Sequence, residues 1–281
     1  MPELPEVETV VRTLRPVLLN RRLARIELTR TDIVTPAGCD LSEVLRGRTV
    51  TDITRRGKRI ILTLDDENRF YVHLGMTGRL TVESSDAPVE KHTHFIANLS
   101  DRGRQLRFRD PRRFGGIWWM GRDSCDERMG PEPLSLRSAQ LSKRLARTTR
   151  AIKNVLLDQT VIAGVGNIYA DEALFAARIH PLRRANELAQ DEIRRLNRAM
   201  KLTLRRAVRH RGSTLRDYVD AEGVGGAFQN LHRVYDRAGE PCRSCRHPVE
   251  RIVLGGRSTH FCPKCQPPSS SPPAPARHRH G

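Results

Sequence analysis

Four cysteines close to the C-terminus constrain this chain more than any other feature. Cys242, Cys245, Cys262 and Cys265 are spaced C-x2-C-x16-C-x2-C. Tetrahedral zinc takes four thiolates, and two C-x2-C knuckles on facing strands deliver them to one point. The spacing predicts a zinc-finger β-hairpin over residues 239–266 that holds one Zn2+. Four protein ligands leave no position for water, so the metal reads as structural. A disulfide framework is the alternative, and it fits poorly with a chain expected inside the cell. Cys39 and Cys125 stand alone and read as ordinary small residues.

No apolar run approaches the roughly 20 residues of a membrane span, and the N-terminus lacks the apolar core of a signal peptide. A soluble cytoplasmic protein is expected. Lys and Arg number 50 against 32 Asp and Glu, a net charge of +18 over 281 residues. Such an excess points to a polyanionic partner, because a basic surface gains affinity from counterion release on nucleic acid. A generally arginine-rich composition or an acidic membrane surface is the alternative.

The chain opens Met1-Pro2-Glu3-Leu4-Pro5-Glu6-Val7-Glu8-Thr9-Val10. With Met1 removed, Pro2 is a secondary amine, and its attack on a carbonyl-level carbon gives an iminium directly. An α-amino group titrates at roughly 7.7–8.0, so a useful fraction is deprotonated near neutrality. Glu3 is placed to move protons. An inert N-terminus is the plain alternative. Pro5 suits a helix start, and Val7, Val10, Val11 and Leu14 form one apolar stripe. The terminus is therefore expected to be fastened to a packed helix.

From about 21 to 120 the pattern is strand-like, as in 59–64, 70–74 and 105–109, with turns at 65–68 and 100–103. Such spacing predicts an antiparallel sandwich or barrel. Gly130-Pro131-Glu132-Pro133-Leu134 reads as a linker. Helical periodicity follows from about 136 to 220. Ile152, Val155 and Leu156 share a face with Lys153 pointing elsewhere, and Leu188, Ile193, Leu196, Met200, Leu204 and Val208 trace a long stripe. The glycine-rich segment 220–227 is expected to be a flexible loop. The whole reads as a multidomain α+β chain: a β-sandwich domain over 1–130, a helical domain over 131–238, the zinc hairpin over 239–266, and a disordered Pro/Ser-rich tail over 267–281.

Several short segments carry chemistry. Gly164-Val165-Gly166-Asn167 opens a helix; Asn167 suits an N-cap, and the loop also suits a phosphate, with Lys153 completing that site. In Asp110-Pro111-Arg112-Arg113-Phe114-Gly115-Gly116, an aromatic beside paired arginines suits a wedge entering a base stack. A core phenylalanine with a solvated arginine pair is the alternative. Gly75-Met76-Thr77-Gly78 is a simple turn or a second apolar wedge. Lys58 reads as one phosphate contact among basic neighbours, and His92 and His94 as strand residues or phosphate contacts.

These segments, in order from residue 2 to 265, closely resemble the bacterial formamidopyrimidine-DNA glycosylases of the Fpg/Nei family. The matching stretches are 2–9, His73-Leu74-Gly75-Met76-Thr77-Gly78, 110–115, Gly164-Val165-Gly166-Asn167-Ile168-Tyr169-Ala170-Asp171-Glu172 and the cysteine quartet. The resemblance implies a helix–two-turn–helix domain between sandwich and finger. It implies a monomeric repair enzyme of the nucleoid that excises oxidised purines from damaged double-stranded DNA and cleaves the strand by β- and δ-elimination. Pro2 would attack C1′, Glu3 would serve as acid/base, and Lys58 would lie near the lesion and its phosphate. Met76, Arg112 and Phe114 would fill the gap left by the extruded base. His92, Lys153, Asn167 and Arg257 would touch the DNA backbone, and the loop near 217–226 would close over the base. Asp236 stands where the family often has glycine, and Asn154 where some members have proline. The tail beyond Cys265 is additional. An endonuclease VIII-like enzyme for oxidised pyrimidines and a noncatalytic zinc-ribbon DNA-binding protein remain as rival readings.

Overall fold

The opening segment folds into a helix, α1 (Leu4–Leu18), whose apolar residues Leu4, Val7, Val10, Val11, Leu14 and Leu18 are all buried. Pro5 lies in its first turn, where a missing N–H breaks no helical bond. Glu6 reaches back, its Oε2 accepting the Glu3 N–H at 2.8 Å, which satisfies a donor that a helix start leaves open. The computed structural model describes residues 1–101, 103–123 and 128–268. Arg102 of the expected 100–103 turn, Cys125 and residues 269–281 of the tail lie outside the described residues.

Strands β1 (Leu23–Leu28) and β2 (Val34–Thr35), the short helix α2 (Leu41–Leu45), and strands β3 (Val50–Arg56), β4 (Arg59–Leu64), β5 (Arg69–His73), β6 (Arg79–Ser84), β7 (Thr93–Leu99), β8 (Arg104–Arg109) and β9 (Gly116–Gly121) come next along the chain. One sheet runs β1-β7-β8-β6 and is antiparallel throughout. The other runs β2-β9-β5-β4-β3, and at one edge the antiparallel pattern breaks: β2 pairs parallel with β9. Side chains alternate between the two faces of a strand, so β4 buries Ile60, Leu62 and Leu64. Ile53, Phe70, Val72 and Ile117 of one sheet meet Leu80, Phe95, Leu106 and Phe108 of the other, and α1 joins the same core. This is a two-layer sandwich.

The chain divides into two compact units, neither continuous in sequence. The first takes residues 1–136, 158–166 and 201–232; the second takes 137–157, 167–200 and 233 onward. In the first, the segment 220–227, expected to be flexible, is tied down by hydrogen bonds in this structure. Asp220 is fully buried, and its Oδ1 accepts the Glu222 and Val224 N–H groups at 3.0 Å while Oδ2 pairs with Arg211. Tyr218 and Ala221 enter the core beside α1. Glycine content signalled mobility, but a buried carboxylate with several donors overrides it. The expected linker at 130–134 is also held: Glu132 accepts the Gly57 N–H at 2.7 Å and pairs with Arg55 and Arg56.

Helices α3 (Ser138–Leu145), α4 (Ile152–Leu157), α5 (Asn167–Ala177) and α6 (Gln190–Arg209) realise the helical periodicity, and β10 (Glu250–Leu254) pairs with β11 (Arg257–Phe261) as the hairpin. On α6 the stripe Ile193, Leu196, Met200 and Leu204 is buried. On α4 the expected apolar face of Ile152, Val155 and Leu156 is buried, and Lys153 is buried as well. Among the described residues no helix is long and apolar enough to cross a membrane.

Candidate active site and nucleic-acid interface

The N-terminus is held by a backbone turn far away in sequence. Pro2 is buried and Glu3 is 2% exposed. The Leu4 N–H donates to the Gly164 carbonyl at 3.0 Å, and Glu3 Oε2 accepts the Gly166 N–H at 2.8 Å. A side chain at either glycine would have to displace its neighbour. A Cβ on Gly166 would lie 2.3 Å from Glu3 Cδ, and one on Gly164, which has φ +85°, would lie 3.0 Å from Leu4 Cβ. The Gly-x-Gly turn thus directs its amide at Glu3, a partner that sequence reasoning did not identify. The paired glycines before Asn167 were the available signal.

Lys58 sits in a two-residue turn between β3 and β4, with Gly57 at φ +57°. A Cβ on Gly57 would lie 2.9 Å from Met129 Sδ and 3.6 Å from the Gly164 nitrogen. The turn therefore rests against the same Gly164 loop that holds Leu4. Arg55, almost enclosed, bridges Glu8 at 3.0 Å and Glu132 at 2.6 Å. Burial opposes ionisation of Glu132, yet Arg55, the Gly57 amide and Arg56 together hold its carboxyl below the usual range. Burial, reinforced by the charges of Lys58 and Arg59, pushes His73 down to about 4. His73 is neutral at physiological pH, and its Nδ1 accepts the Gly75 N–H at 3.0 Å.

Met76 and Phe114 are exposed by 40% and 56%, values that exclude core roles for both. The Arg112 guanidinium lies over the Phe114 ring, 4.6 Å from its centroid, a favourable cation–π distance. The loops carrying these residues touch backbone to backbone, since a Cβ on Gly75 would lie 2.4 Å from the Gly115 nitrogen. His92 is exposed at φ +70°, and His94 is buried.

In the second unit, one carbonyl joins two expected DNA contacts and adjoins a third. Ser258 O accepts from Lys153 Nζ at 2.8 Å and from Asn167 Nδ2 at 3.0 Å, and Arg257 precedes it, exposed at the start of β11. Lys153 is fully buried. Its Nζ also donates to Thr259 Oγ1 at 2.8 Å and lies 2.7 Å from Asp171 Oδ1, a charge contact off-axis for a hydrogen bond. Lys153 offers no exposed ammonium in this geometry. Asp171 Oδ2 in turn accepts the His260 N–H at 2.9 Å, and Glu172 accepts the N–H groups of Arg233, Val234 and Tyr235. Asp236 adopts φ +58°, the conformation that a glycine takes without strain.

The Sγ atoms of Cys242, Cys245, Cys262 and Cys265 all lie within 4.8 Å of one another. Separations of 3.9 Å (Cys242 to Cys265) and 3.4 Å (Cys245 to Cys262) bracket the roughly 3.8 Å expected of thiolates around tetrahedral zinc. The His247 amide, foremost, lowers Cys245, whereas burial, foremost, pushes the Cys262 and Cys265 thiols up. The donor set fits one structural zinc. Cys39 is half-buried, and burial pushes its thiol up.

Comparison with known proteins agrees along the described chain. Family models match for the formamidopyrimidine-DNA glycosylase N-terminal domain over residues 1–117, the formamidopyrimidine-DNA glycosylase H2TH domain over 129–219, and the zinc finger found in FPG and IleRS over 239–268. The formamidopyrimidine-DNA glycosylase of Herpetosiphon aurantiacus is 46% identical, covering 95% of this chain and 100% of that protein. Its counterpart in Geobacillus kaustophilus is 43% identical, with the same coverage. Lactococcus lactis Fpg, solved with DNA containing an abasic site, superposes with a TM-score of 0.89 at 37% identity over 95% of this chain and 100% of that one. The Thermus thermophilus MutM (Fpg) protein gives 0.85 at 42% identity over 94% and 98%. With all three domain models in order and relatives matched over their full length, the chain belongs to the formamidopyrimidine-DNA glycosylase family.

Proposed function

We propose that this chain is a bifunctional DNA glycosylase and abasic-site lyase that removes oxidised purines, 8-oxoguanine and formamidopyrimidines, from duplex DNA of the nucleoid. The observation that carries the reading is the buried Glu3 carboxylate, fixed by the Gly166 amide directly beside Pro2. Lactococcus lactis relatives are solved with DNA containing Fapy-dG or an abasic site, the lesion and the baseless product that such a reaction requires.

In this reading Met1, which is half-exposed, is removed first, since Pro2 is a tertiary amide while it remains. The freed amine attacks C1′, and the C1′–N bond breaks with its electrons leaving on the base. Glu3 takes the proton that the attacking amine sheds and delivers it to O4′ as the sugar ring opens, giving an iminium between Pro2 and C1′. The iminium is the electron sink for both eliminations. Loss of a C2′ proton expels the 3′ phosphate, loss of a C4′ proton expels the 5′ phosphate, and water then releases the amine. An activated water in place of the amine would give base removal without strand cleavage.

Met76, Arg112 and Phe114 enter the space left by the extruded base, with Arg112 facing the orphaned partner. Lys58 stabilises the phosphate beside the lesion, and His92 and Arg257 bind backbone phosphates. Lys153 and Asn167 support that contact by fixing the Ser258 carbonyl next to Arg257. Zinc holds the hairpin that presents Arg257.

The test is excision on a lesion panel with borohydride trapping, alongside intact-mass measurement of the N-terminus. A trapped adduct on 8-oxoguanine:cytosine duplex, lost in Pro2→Gly, is expected. Full-rate excision by Pro2→Gly, or retention of Met1 in active protein, would refute the nucleophile. A relative solved with an oxidised pyrimidine keeps a pyrimidine-directed reading in play, and preference for thymine glycol would select it.

A further inference from the structure

The two loops with exposed apolar tips share one buried carboxylate. Asp110 follows β8 and is fully buried. Its Oδ1 accepts the Thr77 hydroxyl at 2.5 Å and the Arg112 N–H at 3.3 Å, and its Oδ2 accepts the Gly115 N–H at 2.8 Å. Thr77 follows Met76 on one loop; Arg112 and Gly115 flank Phe114 on the other. The backbone of Asp110 is pinned as well. Its N–H donates to the His92 carbonyl at 3.0 Å, and its own carbonyl lies 3.0 Å from His94 Nε2, which therefore carries the proton.

An ionised carboxylate only accepts, so it gathers donors from both sides at once, and such charge-assisted bonds are the strong ones. No other side chain of similar size does this. Asparagine keeps one accepting oxygen and turns an amide donor toward a donor. The glycines leave no slack either, since a Cβ on Gly115 would lie 2.4 Å from the His73 carbonyl oxygen and one on Gly78 would lie 2.3 Å from that of Leu74. The tips are thus free to insert while their bases are clamped.

We propose that Asp110 is the positioning residue for base extrusion: it locks the Met76 loop and the Arg112–Phe114 loop into one rigid wedge. Unstacking a base pushes back on whatever enters the stack, and two loops held separately would spread under that load. The assignment rests on the wedge reading of Met76, Arg112 and Phe114. Asp110 touches no reacting atom, so its loss slows removal of a stacked lesion and spares chemistry at a site that has already lost its base.

The experiment compares two single-turnover rates, excision of 8-oxoguanine from duplex DNA and strand cleavage at a preformed abasic site. It uses Asp110→Asn, Thr77→Val, Thr77→Ser and Phe114→Ala, with thermal unfolding to verify folding. Asp110→Asn and Thr77→Val are expected to slow excision by about a hundredfold, the scale of an ångström misplacement, with abasic cleavage close to wild type. Thr77→Ser, which restores the hydroxyl, is expected to recover excision. Wild-type excision in both variants, or equal loss of both activities in folded protein, overturns the proposal. Where Asp110→Asn does not fold, the Thr77 pair decides alone. Full-rate excision by Phe114→Ala would instead remove the wedge reading itself, whereas loss in Phe114→Ala alone leaves the wedge and removes Asp110.

Discussion

The carboxylate of Glu3 accepts the backbone N–H of Gly166 at 2.8 Å across a sequence separation of 163 residues. A Cβ at position 166 would lie 2.3 Å from Glu3 Cδ, so any side chain there has to move the carboxylate. Gly166→Ala is therefore expected to displace the acid/base group while leaving Pro2 intact. Borohydride trapping should slow by about a hundredfold, the usual worth of a positioned proton donor. Stability should fall by about 1–3 kcal/mol from overpacking. Stopped trapping reactions and urea unfolding read the two effects, and unchanged trapping would show that the amide does not set the carboxylate.

Lys153 and Arg257 should separate cleanly. Lys153 is fully buried against Asp171, and removing one partner of a buried pair costs about 3–5 kcal/mol. Lys153→Met is expected to lower the unfolding midpoint sharply, with little change in the salt dependence of DNA binding. Arg257→Ala should leave the midpoint unchanged and flatten the slope of log Kobs against log salt by about 1. Fluorescence anisotropy over a salt series with calorimetry distinguishes them; a flattened slope in Lys153→Met would mean that its ammonium reaches phosphate after all.

His73 gives the fold a pH signature. Its imidazole is pushed from 6.5 to about 4 by burial and by Lys58 and Arg59, so the unfolded chain takes up this proton first as pH falls. The contribution is complete above 6.5 and is lost as pH falls toward 4, by up to about 3 kcal/mol. His73→Gln should flatten that part of the stability profile, measured by urea unfolding at a series of pH values. An equally steep profile in the variant would place the transition on another group.

Zinc removal should act locally. A strong chelator is expected to release about one zinc per chain, as a four-thiolate site requires, and to unfold the β10–β11 hairpin. Cys242 and Cys262 belong to a small cluster with Phe175, Val234 and Val249, so unfolding of the sandwich reported by Trp118 and Trp119 on β9 should persist. Metal released without loss of DNA affinity would detach the hairpin from binding.

Much of this was legible because it is local. The cysteine spacing gave the metal site, the period-2 runs gave β4, β5 and β8, and the valine stripe gave α1. What stayed hidden depends on partners distant in sequence. Nothing in the sequence around Glu6 announces Ser213, yet its Oε1 accepts the Ser213 N–H at 2.7 Å, 207 residues away. Lys153 read as a phosphate contact because nothing nearby in sequence announces Asp171 and Thr259 as its neighbours. Segment 220–227 read as mobile because composition reports glycine and not the hydrogen bonds of Asp220. The Gly-x-Gly turn read as a cap or a phosphate loop because its true acceptor, Glu3, lies at the other end of the chain.

Tyr218 and Ala221 complete the core that α1 begins, and this has a consequence for biosynthesis. The hydrophobic layer started by the first residues to leave the ribosome lacks part of its wall until residues 201–232 have emerged. At about 5–20 residues per second, the stretch after residue 136 takes roughly 5–20 s to translate. Through that interval the nascent sandwich carries exposed apolar surface near its own N-terminus. Slow codons or a stalled ribosome in this window are expected to raise the fraction that aggregates, whereas the same delay after residue 232 should be harmless.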